Sequence, residues 1–150
     1  MEIYMIPNID YYLYIYPNID KEIREINCKT ADVVAEKREM KTTATITGMP
    51  LCASNNSDKI VNILIMCEEI QKDAILSINI LETMRSCIAK ELQVLTLICQ
   101  SVIVDRYFNR KSWREIQTSH GITRNFAYVI NSRFKKSVLG EFNRCFVLKS

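Results

Sequence analysis

The sequence is poor in the residues that make turns, with three glycines and three prolines among 150 residues. A β-sandwich or barrel needs a turn after each short strand, so this shortage argues against all-β architectures. The hydrophobic share of 48% and the charged share of 25% are typical of a folded chain rather than a disordered one. The composition therefore favours a mostly helical protein.

Residues that hold metals or perform nucleophilic chemistry are also scarce. The chain has a single histidine, His120, and none of its six cysteines belongs to a C-x-x-C pair. A structural zinc site needs four closely spaced Cys or His ligands, and no glycine-rich phosphate loop or nucleophile motif occurs. We therefore expect a non-enzyme with no cofactor and no metal, in which His120 is a hydrogen-bonded structural residue.

Long apolar runs are missing as well. The longest predominantly apolar stretch without a charge, Leu92–Val104, has thirteen residues, whereas a membrane-spanning helix needs about 20. Glu2 and Asp10 interrupt the apolar segment that a secretory signal would require. We expect a cytosolic protein with reduced thiols and no membrane association.

The basic residues are concentrated at one end of the chain. Residues 106–150 contain ten Lys and Arg against two Glu, a balance of +8, and residues 1–105 contain ten basic and fifteen acidic residues, a balance of −5. A basic segment on an acidic body is typical of proteins that contact phosphate. A solvated helical face would carry the same charges, so the charge alone leaves both interpretations open.

The basic segment also contains the pattern of two short helices joined by a tight turn. Ser112 can cap a helix from about Trp113 to about Ser119, and Gly121 can end it in the left-handed conformation. Thr123 can then cap a second helix over about residues 124–138. That helix has an apolar stripe formed by Ala127, Ile130 and Phe134. The pattern predicts a helix-turn-helix.

Residues across much of the chain resemble a known family. The core of the resemblance is Tyr107-Phe108, Lys111-Ser112-Trp113, Glu115-Ile116 and Gly121-Ile122-Thr123; upstream it includes Tyr16-Pro17, Ile19-Asp20, Glu22-Ile23, Gly48-Met49-Pro50 and Asp58-Lys59-Ile60. This order is similar to that of small phage transcriptional regulators of the RinA/ArpU type, which have a helix-turn-helix like sigma-70 region 4. The similarity covers about residues 14–139.

The resemblance implies a phage-type transcriptional regulator that binds double-stranded DNA in the cytoplasm of a bacterial host. The second helix of the motif would then enter the major groove. The residues expected to face base edges are Arg124, Asn125 and Tyr128. The residues expected to neutralise phosphates are Arg110, Lys111, Arg114, Arg133, Lys135 and Lys136.

Two positions depart from the family pattern: Gln117 replaces a small residue and His120 replaces a leucine. A longer amide and an imidazole there would loosen the motif or tilt its second helix. An alternative function is therefore a protein-binding phage effector on a modified helix-turn-helix scaffold. Its target would be host RNA polymerase or a host defence nuclease, which it would inhibit in the manner of an anti-CRISPR protein.

The N-terminal half divides into an arm and a helical hairpin. Residues 1–17 form a tyrosine-rich arm that packs either on a partner subunit or on the protein's own core. Residues 18–90 form the hairpin, with a first helix over about residues 18–40 and a second that begins at Ser57 or Asp58. Between them we expect extended coil at Thr42–Ile46 and a loop at Leu51–Ser57.

The second hairpin helix has apolar side chains on two sides. One stripe follows a coiled-coil heptad, formed by Ile63, Cys67, Ile70, Ala74, Leu81, Met84 and Ile88. A second stripe is formed by Ile60, Leu64, Ile75 and Ile78. The first helix can cover only one of them, so the other must meet either the C-terminal domain or a second copy of the protein. A homodimer would satisfy it, and the hairpin is then the expected dimerisation region.

The remaining segments complete an all-α fold in which the hairpin or coiled coil is followed by the helix-turn-helix. We expect a kink or break near Ser86–Glu91 and a helix-turn-helix domain over residues 91–139. Residues 140–150 form an apolar tail that we expect to fold back or to enter an interface.

Overall fold

The computed structural model describes residues 7–46 and 53–149, with side chains for residues 7–39 and 58–146. The predicted all-α class is confirmed, because the described residues form helices and no strand. The elements are α1 (Ile9–Ile15), a 3₁₀ turn (Tyr16–Asn18), α2 (Ile19–Ile46), α3 (Ala53–Val94), α4 (Leu97–Ile103), a π-helical turn (Val104–Phe108), α5 (Trp113–His120) and α6 (Arg124–Lys149). None of the described helices has a stretch long and apolar enough to cross a membrane.

Three predictions of non-helical backbone are wrong. Helix α2 continues through Thr42–Ile46, α3 already begins at Ala53 within the expected loop, and α3 runs without a break through Ser86–Glu91. β-Branched residues cost only tenths of a kcal/mol each in a helix, too little to stop one that is already formed. In the third segment, Ser86–Glu91, the side chains of Cys87 and Ile88 are buried. Their burial stabilises the helical conformation.

The C-terminal tail is covered in a different way from the one expected. Helix α6 does not end near residue 138 but continues to Lys149, and Phe142 on this extension is 1% exposed. Gly140 inside the helix costs about 1 kcal/mol relative to alanine. Burying a phenylalanine contributes more than that, about 1.5–3 kcal/mol, so the helix continues through the glycine.

The chain divides into two compact units. The hairpin unit is residues 20–79, and the C-terminal unit is residues 1–19 together with residues 80–150. In the hairpin unit the Lys37 ammonium lies 4.0 Å from the Met66 sulfur, and Thr30 shares a groove with Gln71. Thr30 precedes Lys37 in α2, whereas Gln71 follows Met66 in α3. The two helices therefore run in opposite directions, as in the antiparallel hairpin that the sequence predicts.

The C-terminal unit has one continuous apolar core. Its buried residues are Ile9, Leu13, Ile80, Met84, Cys87, Ile88, Leu92, Val102, Ile103, Tyr107, Ile116, Ile130, Phe134, Val138 and Phe142. Ile9 and Leu13 come from α1, so the described part of the tyrosine-rich arm packs on the protein's own core. Since α1 contacts α6 and the π-helical turn, it supports the elements that carry the helix-turn-helix.

Candidate nucleic-acid interface

The predicted caps of the helix-turn-helix are present. The Ser112 hydroxyl accepts a hydrogen bond from the Glu115 amide at 3.2 Å, and the Thr123 hydroxyl accepts one from the Phe126 amide at 3.2 Å. Gly121 has φ 61°, a left-handed conformation that glycine adopts without the steric cost of a Cβ atom. These local interactions place the start of α6 immediately after α5, as the sequence predicts.

The apolar stripe of α6 is buried as predicted. Ala127, Ile130 and Phe134 are at most 5% exposed, and Ile116 of α5 is fully buried in the same core. This packing fixes the rotation of α6 about its axis. The side of α6 opposite the stripe therefore faces solvent.

Asp105 in the π-helical turn joins three neighbouring segments. Its carboxylate accepts a hydrogen bond from the side-chain Nδ2 of Asn109 at 2.9 Å. It also lies 2.7 Å from His120 Nε2 at the end of α5 and 3.7 Å from the Lys111 ammonium. The His120 side chain is only 19% exposed. His120 is thus partly buried and hydrogen-bonded, as the sequence predicts, and its contact with Asp105 links the end of α5 to the π-helical turn.

Partial burial raises the pKa of Asp105, but the hydrogen bonds from Asn109 and His120 and the charge of Lys111 outweigh it and lower the pKa below 3.8. The ionised carboxylate therefore stabilises the fold at pH values above 3.8, and this contribution is lost as the pH falls through the lower pKa of the folded state. We expect Asp105→Asn to lower the free energy of unfolding by about 1–2 kcal/mol at pH 7. Urea titrations at several pH values measure this difference, which should shrink below pH 3.8. A difference that grows on acidification would contradict the assignment.

Two arginines and two aromatic rings form a contiguous layer along one side of the helix-turn-helix. The Arg106 guanidinium lies 4.7 Å from the Trp113 ring centroid, the Trp113 and Tyr128 rings are 5.3 Å apart, and the Arg124 guanidinium lies 5.3 Å from the Tyr128 ring. We call these four residues the cation–aromatic layer. Cation–π contacts of this kind contribute about 0.5–1 kcal/mol each at exposed sites, so the layer orders side chains on the surface.

The three residues predicted to contact bases all lie at the surface near the start of α6. Arg124 and Asn125 are exposed, and Tyr128 is 39% exposed. Arg124 donates hydrogen bonds from Nε and Nη2 to the Tyr128 hydroxyl oxygen at 3.3 and 3.2 Å. The structure thus brings Arg124 and Tyr128 together, with Asn125 on the adjacent outward side.

The six residues predicted to contact phosphates fall into two groups. Arg110, Arg114, Arg133 and Lys136 are exposed, and no ion pair joins them to a side chain in the described part of the chain. Lys111 pairs with Asp105, and Lys135 lies 3.3 Å from a carboxylate oxygen of Asp10 in α1. From the sequence, all six residues are expected to be equally available to phosphate. In the structure the charges of Lys111 and Lys135 are partly neutralised by carboxylates of the protein itself.

Asp10 also contacts a buried tyrosine beneath Lys135. The Tyr107 hydroxyl lies 3.2 Å from Asp10 Oδ1 and 2.5 Å from the side-chain oxygen of Asn131. Burial is the main cause that raises the pKa of the Tyr107 hydroxyl, and the negative charge of Asp10 raises it further. These residues and Trp113 line a cavity of about 290 Å³. Asn131 is therefore held toward the interior.

Sequence reasoning missed part of the outward face of α6. Asn125, Val129, Ser132 and Lys136 are all exposed and lie four, three and four residues apart, which places them along one line of the helix. Phe126, 46% exposed, lies beside this line. The sequence does contain the signal for this face, because the helical period that predicts the buried stripe also predicts which residues lie opposite it. We call this line of four residues the outward line.

Comparison of the chain with protein-family models, with curated proteins and with solved structures finds no match.

Proposed function

We propose that the protein binds double-stranded DNA through α6 and regulates transcription as a homodimer. The observation that carries the proposal is the capped helix-turn-helix with Arg124, Asn125 and Tyr128 exposed at the start of its second helix. No acidic residue occurs between Glu115 and Glu141, so nothing in that stretch repels phosphate. The resemblance to phage regulators of the RinA/ArpU type supports transcription as the process. No residue has a catalytic role in this proposal.

The exposed side chains suit the major groove. Arginine pairs with guanine and asparagine with adenine through two hydrogen bonds each, and apolar side chains contact the methyl group of thymine. Arg124 and Asn125 supply the first two kinds of contact, and Val129 on the outward line supplies the third. Arg110 lies just before α5 and Arg114 lies within it. In motifs of this kind the first helix crosses the phosphate backbone, so both arginines are placed to contact phosphates.

Binding of random duplex DNA tests the proposal through its salt dependence. Each neutralised phosphate adds about −0.9 to the slope of log K against log salt, so the four unpaired cations predict a slope of about −3.6 per subunit. Affinity should fall roughly tenfold between about 0.1 and 0.2 M salt where one subunit binds, and roughly 100-fold where both subunits of a homodimer bind. Fluorescence anisotropy with a labelled duplex measures this slope. Absent binding, or binding that does not respond to salt, would overturn the proposal.

A second candidate is a protein-binding effector, and one observation favours it. Phe126 and Val129 are 46% and 43% exposed on α6, and large exposed apolar side chains are typical of protein interfaces. The target would be host RNA polymerase or a host nuclease. Size-exclusion chromatography of the protein with purified bacterial RNA polymerase, in the absence of nucleic acid, distinguishes the two. A stoichiometric complex lost in Phe126→Ala would favour the effector.

A further inference from the structure

Helix α3 carries an exposed apolar face within the hairpin unit. Five large side chains on it are between 41% and 59% exposed: Val61, Leu64, Ile65, Ile75 and Leu76. At about 100° per residue, they lie on one side of the helix, between about 60° and 180° around the axis from Cys67, which is 4% exposed. Exposed Glu68 and Lys72 lie between the two apolar groups. We call this surface the α3 face.

The α3 face is symmetric along the helix. Leu64 and Leu76 are equally spaced on either side of position 70, and so are Ile65 and Ile75. Glu68 and Lys72 are also equally spaced about that position, but they carry opposite charges. Reversing the direction of the helix therefore brings Leu64 to the level of Leu76, Ile65 to the level of Ile75 and Glu68 to the level of Lys72. Val61 comes to the level of Asn79, at the edge of the face.

We propose that the α3 face binds the same face of a second copy, with the two helices antiparallel and the two-fold axis at the level of residue 70. A two-fold interface requires that if one residue contacts another, the second contacts the first on the partner. The pairs Leu64 with Leu76, Ile65 with Ile75 and Glu68 with Lys72 satisfy this condition. The inference locates the contact of the homodimer proposed above and does not depend on DNA binding.

Charge selects the antiparallel arrangement over the parallel one. In a parallel in-register pair Glu68 meets Glu68 and Lys72 meets Lys72, which is repulsive at both levels. In the antiparallel pair both contacts become attractive. The face from Val61 to Asn79 is about 27 Å long at 1.5 Å per residue, which is the length of an ordinary helix–helix contact. Apolar area supplies the affinity and the two charges set the direction.

A charge-exchange series measured by sedimentation equilibrium without DNA tests the inference. Glu68→Lys places lysine against Lys72 of the second copy, and Lys72→Glu places glutamate against Glu68. Each single variant should raise the dimer dissociation constant at least about tenfold, because two attractive pairs become repulsive. An equimolar mixture of the two variants should associate with near-native affinity, since every cross-pair is then of opposite sign.

The double variant Glu68→Lys/Lys72→Glu determines the direction. In the antiparallel pair it restores both attractive contacts, so the dissociation constant should return to within about threefold of the native value. A parallel pair gains nothing from the exchange, so single and double variants with unchanged affinity would overturn the proposal. So would a native chain that stays monomeric at about 100 μM. Circular dichroism of each variant verifies the helices, and the absence of DNA separates this result from the duplex-binding test.

Discussion

Replacing Arg124 and Arg133 together by glutamate is expected to weaken binding to duplex DNA at least about 100-fold at 0.1 M salt. Arg124 lies at the start of α6 within the cation–aromatic layer, and loss of a base contact of this kind costs about 1–3 kcal/mol. Arg133 has no ion pair within the described part of the chain. Its reversal removes one phosphate contact and adds a repulsive charge. Anisotropy titrations of native and variant protein measure the change.

A matched variant separates position from net charge. Lys21 and Lys29 are exposed in the hairpin unit, and their replacement by glutamate changes the net charge by the same amount. We expect this control to lower affinity by less than about threefold, since only long-range, salt-screened repulsion remains. Equal losses in the two variants would mean that overall charge, and not the helix-turn-helix, holds the DNA.

Phe142→Ala is expected to lower the free energy of unfolding by about 3–5 kcal/mol. Phe142 is 1% exposed, stacks on Phe146 with ring centroids 5.4 Å apart and belongs to the same core as Phe134 and Tyr107. Truncation removes apolar burial and leaves a cavity that the surrounding helices cannot fill. Since domains of this size are stable by only about 5–15 kcal/mol, thermal unfolding should shift down by tens of degrees or be lost.

Phe126→Ala is the control for this truncation. The same side chain is removed, but Phe126 is 46% exposed, and surface substitutions change stability by about 0.5 kcal/mol or less. Chemical denaturation followed by circular dichroism compares the two variants directly. Similar losses would show that the C-terminal extension of α6 is not packed on the core.

The helix-turn-helix was predictable because its determinants are close in sequence. Ser112, Gly121 and Thr123 act on amides within a few residues of themselves, and the stripe that includes Ala127 and Phe134 follows from the helical period alone. The same locality explains why the exposed positions of Arg124 and Asn125 were anticipated.

What sequence reasoning missed depends on contacts between distant positions. Asp10 of α1 contacts both Lys135 and Tyr107, which lie far later in the chain, and no local pattern signals either contact. A break in α3 is the expectation near Ser86 because the apolar pattern loosens there, but burial of Cys87 and Ile88 keeps the helix continuous. Sequence patterns over a few residues thus predict the helix-turn-helix, whereas contacts between distant residues determine which of its cationic side chains form ion pairs.

The cation–aromatic layer has a consequence for the thermodynamics of recognition. A free arginine side chain loses about 1.5–2 kcal/mol of rotamer entropy when it is immobilised. Arg124 is already restrained by the hydroxyl and ring of Tyr128, so part of this entropy is lost during folding and not at the moment of binding. A ligand that meets this guanidinium finds it preorganised, and its association is correspondingly less opposed by conformational entropy.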